Sequence, residues 1–273
     1  MDEIGLIFSG GGGRGAYQIG VWEALSEMGY TKRITAVSGT SVGALNAALY
    51  SSVSSEKAAE IWCSIRQSDL TDIDDIKTPV LSNAGNGAGA LFSGIADALL
   101  KVVENQGVFS REGLARLITE NEIDRRTAQS AIRCFACRAD CVTRTAQYID
   151  LANQPPEKVT EILLDSTCIP VLFRQNGGYI DGGVSDNVPV KPLYDLGLRR
   201  FIVLLLRPEA QFDETLFPDS RFMVLRPSEK IYLGRSGARF IGDGTADFNG
   251  ENAYKRIALG YEEGLAQLAE QGI

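Results

Sequence analysis

Twice within its first fifty residues the chain runs a short apolar stretch into glycine and then begins a helical pattern. Ile4–Phe8 leads into Ser9-Gly10-Gly11-Gly12-Gly13-Arg14-Gly15, after which Ile19, Trp22 and Leu25 recur at helical spacing towards a capping Gly29. Ile34–Val37 leads into Ser38-Gly39-Thr40-Ser41-Val42-Gly43, with a helix expected from Ser41 to about Tyr50. A short apolar run closed by glycine is the pattern of a buried strand entering a tight turn. Strands alternating with helices point to a parallel sheet covered by helices. Lys57–Arg66, with Ile61, Trp62 and Ile65 on one face, adds another covering helix.

The rest of the chain is less regular. Ser82–Ala90 is rich in Gly, Asn and Ala and leads into Leu91–Val103, where Leu91, Phe92, Ile95, Leu99 and Val103 form an apolar stripe. Such a stripe is either a helix packed on the core or a mobile, lipid-contacting lid hinged at the preceding glycines. Glu112–Leu117 reads as a helix, and Ala131–Cys137 and Thr143–Leu151 as adjacent strands of a hairpin. A helix over Glu157–Leu164 precedes a turn at Pro170 and the glycine-rich Asn176–Gly183. Phe201–Leu206 is apolar without a break, as in a strand buried on both faces. Phe222–Leu225 is a shorter strand, and Glu251–Glu270 a long closing helix. No internal repeat and no Pro- or Ser-rich linker divides the 273 residues, so a single domain over 1–273 is expected.

Composition removes whole classes of chemistry. The chain has no histidine, which closes the Ser-His-Asp triad, the Cys-His dyad and any His-ligated metal. Its net charge of −8 opposes nucleic-acid binding and simple electrostatic capture by anionic lipid. Five cysteines, an odd number, fit a reducing compartment. Cys134, Cys137, Cys141 and Cys168 lack the spacing of two Cys-x-x-Cys knuckles and read as small buried thiols. The aliphatic runs are too short to span a bilayer. Met1-Asp2-Glu3 offers no basic start to a secretory signal, so a cytoplasmic location is expected.

Three short motifs carry the remaining possibilities. In the Gly10–Gly15 loop, glycines let successive N–H groups turn towards one point near a helix N-terminus, where negative charge is favoured. Gly10, Gly12 and Gly15 satisfy the dinucleotide pattern G-x-G-x-x-G. Dinucleotide binding also expects an acidic residue at the end of the second strand; Val37-Ser38-Gly39 stands there instead. An oxyanion hole and a plain turn are the alternatives. Gly39-Thr40-Ser41-Val42-Gly43 is a G-x-S-x-G sequence in a strand–turn–helix setting, where Ser41 is either an exposed nucleophile or a helix N-cap. Asp181-Gly182-Gly183 is either a turn or the site of a general base, which a serine without histidine must find in a carboxylate or lysine.

In that order, the three blocks resemble those of patatin-like phospholipases. Ser166-Thr167-Cys168-Ile169-Pro170 and Asp186-Asn187-Val188-Pro189-Val190 resemble the segments flanking the family's Asp motif, and Ala246-Asp247-Phe248 and Leu259-Gly260-Tyr261 the tail of small bacterial members. The resemblance implies a three-layer α/β fold, with a mostly parallel central sheet and helices on both faces. It implies an acyl hydrolase that needs no metal or other cofactor, with Ser41 as nucleophile and Asp181 as base. The oxyanion hole would be the backbone of Gly10, Gly11, Gly12 and Gly13 beside Arg14, and Gly15, Gly39, Gly43, Gly182 and Gly183 would support the turns. Arg14 would steady the loop, attract a phosphate or make a structural salt bridge; partial burial beside Ser41 would raise the Asp181 pKa, and an approaching Arg14 would lower it again. The acidic limb of activity is therefore expected clearly below a histidine-like midpoint. The implied partner is a lipid or acyl ester met at a membrane surface. Segment 69–108 matches the family least and is expected to be a variable lid or groove that sets substrate choice. An acyltransferase on the same dyad, or an inactive nucleotide- or lipid-binding domain, are the alternatives.

Overall fold

The computed structural model describes residues 3–66, 111–168, 178–231, 244–245 and 247–271. Its strands are β1 (Ile4–Phe8), β2 (Ile34–Thr40), β3 (Arg133–Asp140), β4 (Ala146–Asp150), β5 (Tyr179–Asp181), β6 (Arg200–Leu204) and β7 (Arg221–Leu225). The helices are α1 (Ala16–Glu27), α2 (Val42–Ser52), α3 (Ser55–Ser64), α4 (Arg111–Glu120), α5 (Ile123–Ala128), α6 (Pro156–Ser166), α7 (Lys191–Asp195) and α8 (Gly250–Gln271). The expected stripe at Leu91–Val103, the whole of segment 69–108 and the turn at Pro170 lie outside the described residues.

All five residues of β1 are buried, as an unbroken apolar run requires of a strand covered on both faces. β1 lies inside a sheet of order β4-β3-β2-β1-β6-β7, with β5 attached to β3. The β3–β2–β1–β6–β7 pairings are all parallel, and β4 and β5 run antiparallel to β3. Alternate side chains of β1 serve two cores, as the period of two requires. Leu6 and Phe8 face the larger core with Tyr17 and Leu25 of α1, Leu49 of α2 and Trp62 of α3. Ile7 faces the smaller one, with Val203, with Leu193 of α7 and with Phe201, whose ring stacks on Phe222 at 5.2 Å. A mostly parallel sheet with helices on both faces is thus the architecture.

α1 and α8 touch backbone to backbone. A Cβ on Gly20 would lie 1.9 Å from Ile257 O, and one on Gly260 would lie 2.1 Å from Tyr17 O. Side chains cannot fit there, and glycine is what lets the closing helix settle onto the first. Among the described residues no helix is long and apolar enough to cross a membrane.

Candidate active site

Ser41 makes the turn between β2 and α2 alone, with φ 57° and ψ −131°. A non-glycine residue held there carries strain of roughly 1–3 kcal/mol, which the surroundings must overcome. Those surroundings are tight. A Cβ on Gly39 would stand 2.0 Å from Gly43 O, and a Cβ on Gly43 2.2 Å from Phe8 O. The Ser41 N–H donates to Ser166 Oγ at 3.0 Å, and the Ser166 hydroxyl donates onward to Cys137 O at 2.6 Å. Ser166 is fully buried. Its neighbour Asp165 accepts from Arg138 of β3 at 2.9 Å and from Arg111 of α4 at 3.0 Å. That buried carboxylate between two guanidinium groups ties the end of α6 to β3, and so sets where Ser166 stands.

β3 also brings Asp181 to Ser41. Thr40 pairs with Cys137, and the next residue of β3, Arg138, pairs with Asp181. β4 occupies the opposite edge of β3 over Phe135–Ala139, so β5 takes up the β2 edge where β2 stops. Ser41, the residue after Thr40, therefore meets Asp181 at the junction of two strands paired to a third.

The Asp181 carboxylate is buried. Oδ1 accepts the Gly183 N–H at 2.7 Å. Oδ2 is buried without a hydrogen-bond partner among the described residues. The Ser41 hydroxyl lies close enough to favour the ionised form, yet it does not close an aligned bond to Oδ2, a looseness common before substrate binds. Burial outweighs both stabilising contacts and raises the Asp181 pKa to about 6. The expected help from Arg14 does not arise. Arg14 Nε donates to Gly11 O and Nη2 to Thr245 Oγ1, each at 3.0 Å, so this side chain steadies the glycine loop.

Gly10 sits against Ser41: a Cβ there would lie 3.2 Å from Ser41 Cβ. Two amides of the loop are taken, Gly10 N–H by Asn187 O at 3.2 Å and Gly13 N–H by Thr245 O at 2.8 Å. Those of Gly11 and Gly12 have no acceptor among the described residues. Their directions are set by the carbonyls one bond back, because C=O and N–H point oppositely across a trans peptide. Gly10 O accepts from Asn187 Nδ2 at 3.3 Å and Gly11 O from Arg14. Each free N–H is thereby turned away from those side chains. On the outer side of the loop a cavity of about 180 Å³ is lined by Arg14, Leu206, Arg207, Glu209 and Lys230 among others.

Behind both turns lies a buried polar network that residue patterns do not announce. Asn46 of α2 donates to Gly15 O at 2.9 Å and accepts from Trp62 Nε1 at 3.0 Å. Gln18 of α1 donates to Ser9 O at 3.0 Å. The base of the glycine loop is thus fixed to the helix that begins after Ser41. The only hint in the sequence was a polar residue on an otherwise apolar helix face.

The model of the family "Patatin-like phospholipase" matches residues 6–194. The chain is 25% identical over 204 residues to Lysophospholipase NTE1 of Cryptococcus neoformans var. neoformans serotype D, a match covering 74% of this chain and 11% of that protein. It is 26% identical over 225 residues to Patatin-like phospholipase domain-containing protein 6 of Homo sapiens, covering 80% of this chain and 14% of that one. This chain therefore spans a small part of the length of those relatives. Among solved structures, VipD from Legionella pneumophila superposes with a TM-score of 0.55 at 14% identity, over 98% of this chain and 67% of VipD. That likeness is one of fold, and it carries the same α/β arrangement. With a family match over more than half of its length, the chain belongs to the patatin-like phospholipases.

Proposed function

We propose that the chain is a serine acyl hydrolase that cuts lipid esters through an acyl-enzyme. One observation carries this reading: a buried Asp181 oxygen, without a partner among the described residues, lies beside a serine strained onto an elbow. Asp181 takes the proton from Ser41 as Ser41 Oγ attacks the ester carbonyl. The carbonyl oxygen becomes an oxyanion held by the N–H groups of Gly11 and Gly12, a contribution of roughly 2.7–4 kcal/mol per donor in other acyl-transfer enzymes. The C–O bond then breaks, and the leaving alcohol or lysophospholipid takes the proton from Asp181. Water attacks the acyl-Ser41, giving its proton to Asp181; collapse releases the fatty acid and returns the proton to Ser41. A carboxylate with a pKa near 6 is a stronger base than an ordinary Asp and remains ionised at neutral pH.

The cavity beside the loop supports a phosphate-bearing lipid over a neutral one. Arg14, Arg207 and Lys230 face it against the single carboxylate of Glu209. The test is hydrolysis of matched phospholipids, neutral acylglycerols and short soluble esters, with Ser41→Ala as control and added alcohols to reveal acyl transfer. A fluorophosphonate should label Ser41 alone. Hydrolysis that survives Ser41→Ala, or an adduct on another serine, would overturn the reading.

A further inference from the structure

The glycine loop is held from the far end of the chain. The Gly13 N–H donates to Thr245 O at 2.8 Å, and Gly13 O accepts from Arg256 Nη1 at 3.1 Å. Arg256 is fully buried. Its Nη1 also meets Asp247 O at 2.9 Å, and its Nη2 meets the Asp247 carboxylate at 2.7 Å. The backbones are pressed together: a Cβ on Gly12 would lie 1.9 Å from Thr245 O, and a Cβ on Gly13 1.9 Å from Asp247 O. Arg256 stands one turn before Gly260, where α8 rests on α1, and so reaches the loop ahead of α1. Thr245, Asp247 and Arg256 lie beyond residue 194, where the family match ends.

We propose that Arg256 is a positioning residue for the oxyanion-binding amides, acting through Gly13. The proposal rests on assigning Gly11 and Gly12 as the oxyanion donors. A run of four glycines is the most pliable backbone a protein can make, so its amides stay aimed only if something outside holds them. With both Gly13 polar groups engaged, the peptide planes on either side of that residue are fixed. A guanidinium holds two acceptors in one plane and is always charged, which a lysine cannot reproduce.

The experiment compares Arg256→Lys with wild type on a short soluble ester and with two inhibitors. One is a trifluoromethyl ketone, which forms a hemiketal oxyanion with a serine; the other is an unreactive ether analogue of the substrate. We expect kcat to fall about 10- to 100-fold, with KM within about twofold. Affinity for the ketone should fall with kcat, while affinity for the ether holds. Leu268→Ala, buried further along the same helix, serves as the stability control and should keep kcat in the cold. If Arg256→Lys does not fold, Asp247→Asn weakens the ion pair that aims Arg256 and should give a smaller loss with the same split between inhibitors. Unchanged kcat, or equal loss of affinity for both inhibitors, overturns the role of Arg256. A wild-type protein that binds the ketone no better than the ether overturns the oxyanion assignment itself.

Discussion

The Gly10–Gly15 loop and the Gly39–Gly43 elbow each follow a parallel strand and start a helix, yet they are held by different means. The elbow is strained at Ser41 and pinned at its N–H by the buried Ser166 hydroxyl, which β3 supports in turn. The glycine loop is clasped by side chains and backbone from Asn187, Thr245 and Arg256. The difference follows from what each turn presents. In the proposed chemistry the elbow aims a single hydroxyl, and rigid sheet geometry does that. The loop would aim two N–H groups of a pliable segment, which calls for anchors on several sides.

Breaking the elbow chemically should have the largest effect. Ser41→Ala is expected to lose roughly 10⁴- to 10⁶-fold in kcat, by comparison with other serine hydrolases, while the circular dichroism stays native. Because φ is 57° at this position, Ser41→Gly should be as inactive but more stable than Ser41→Ala, by about 1 kcal/mol in urea unfolding.

Asp181→Asn should cost about 10³- to 10⁴-fold in kcat, since an amide cannot take the proton. It should also raise stability at neutral pH. In the folded protein the carboxyl keeps its proton up to about pH 6, whereas the unfolded chain releases it near ~3.9. Wild type therefore loses stability as pH rises between those values, and carries the full cost of a buried charge above them. The shift corresponds to roughly 2–3 kcal/mol, so the Asn variant should gain up to that amount at pH 7 and nothing below pH ~4. Activity has the opposite dependence, because only the ionised form acts as base. The acidic limb of kcat/KM should fall near pH 6. Thermal melts across pH and a pH–rate profile check both.

Ser166→Ala loosens the elbow while leaving the dyad in place. It strips partners from the Ser41 N–H and the Cys137 carbonyl, which should cost about 1–3 kcal/mol of stability and about 10-fold or more in kcat through misplacement of Ser41. KM for a short ester should hardly move. Asn187→Ala removes a long, partly buried bond to the glycine loop. Its expected effect is the smallest, a few-fold in kcat, in keeping with a bond worth about 0.5–1.5 kcal/mol. An Asn187→Ala loss larger than that of Ser166→Ala would reverse the comparison between the two turns.

Much of this was legible in the sequence wherever the constraint is local. β1, α1 and α8 end within a few residues of their expected bounds because apolar periodicity and flanking glycines are short-range signals. β2 runs on to Thr40 where an end at Val37 was expected. Ser38, Gly39 and Thr40 look like turn residues, yet β3 pairs with all three and β1 with Ser38 and Gly39. α5 and α7 are too short to show a helical period. Ser166 and Arg256 had no local signal for what they do, because their partners lie 125 and 243 residues away. The acidic limb was expected clearly below a histidine-like midpoint and moves up towards it, since the expected burial of Asp181 is not offset by Arg14, whose turn to the glycine loop is not written in nearby residues.

The place of β1 in the sheet has a consequence for how the protein is made. The strand precedes its neighbour in the chain by a long way: one of its edges is covered by β6, whose residues begin at Arg200. Until the ribosome has passed that point, a fully apolar strand has an open edge, the kind of surface that invites pairing with other chains. Long-range closure of this sort also slows folding. A nascent chain is therefore exposed to aggregation until β6 has emerged, and its glycine loop is clasped later still, when Arg256 arrives.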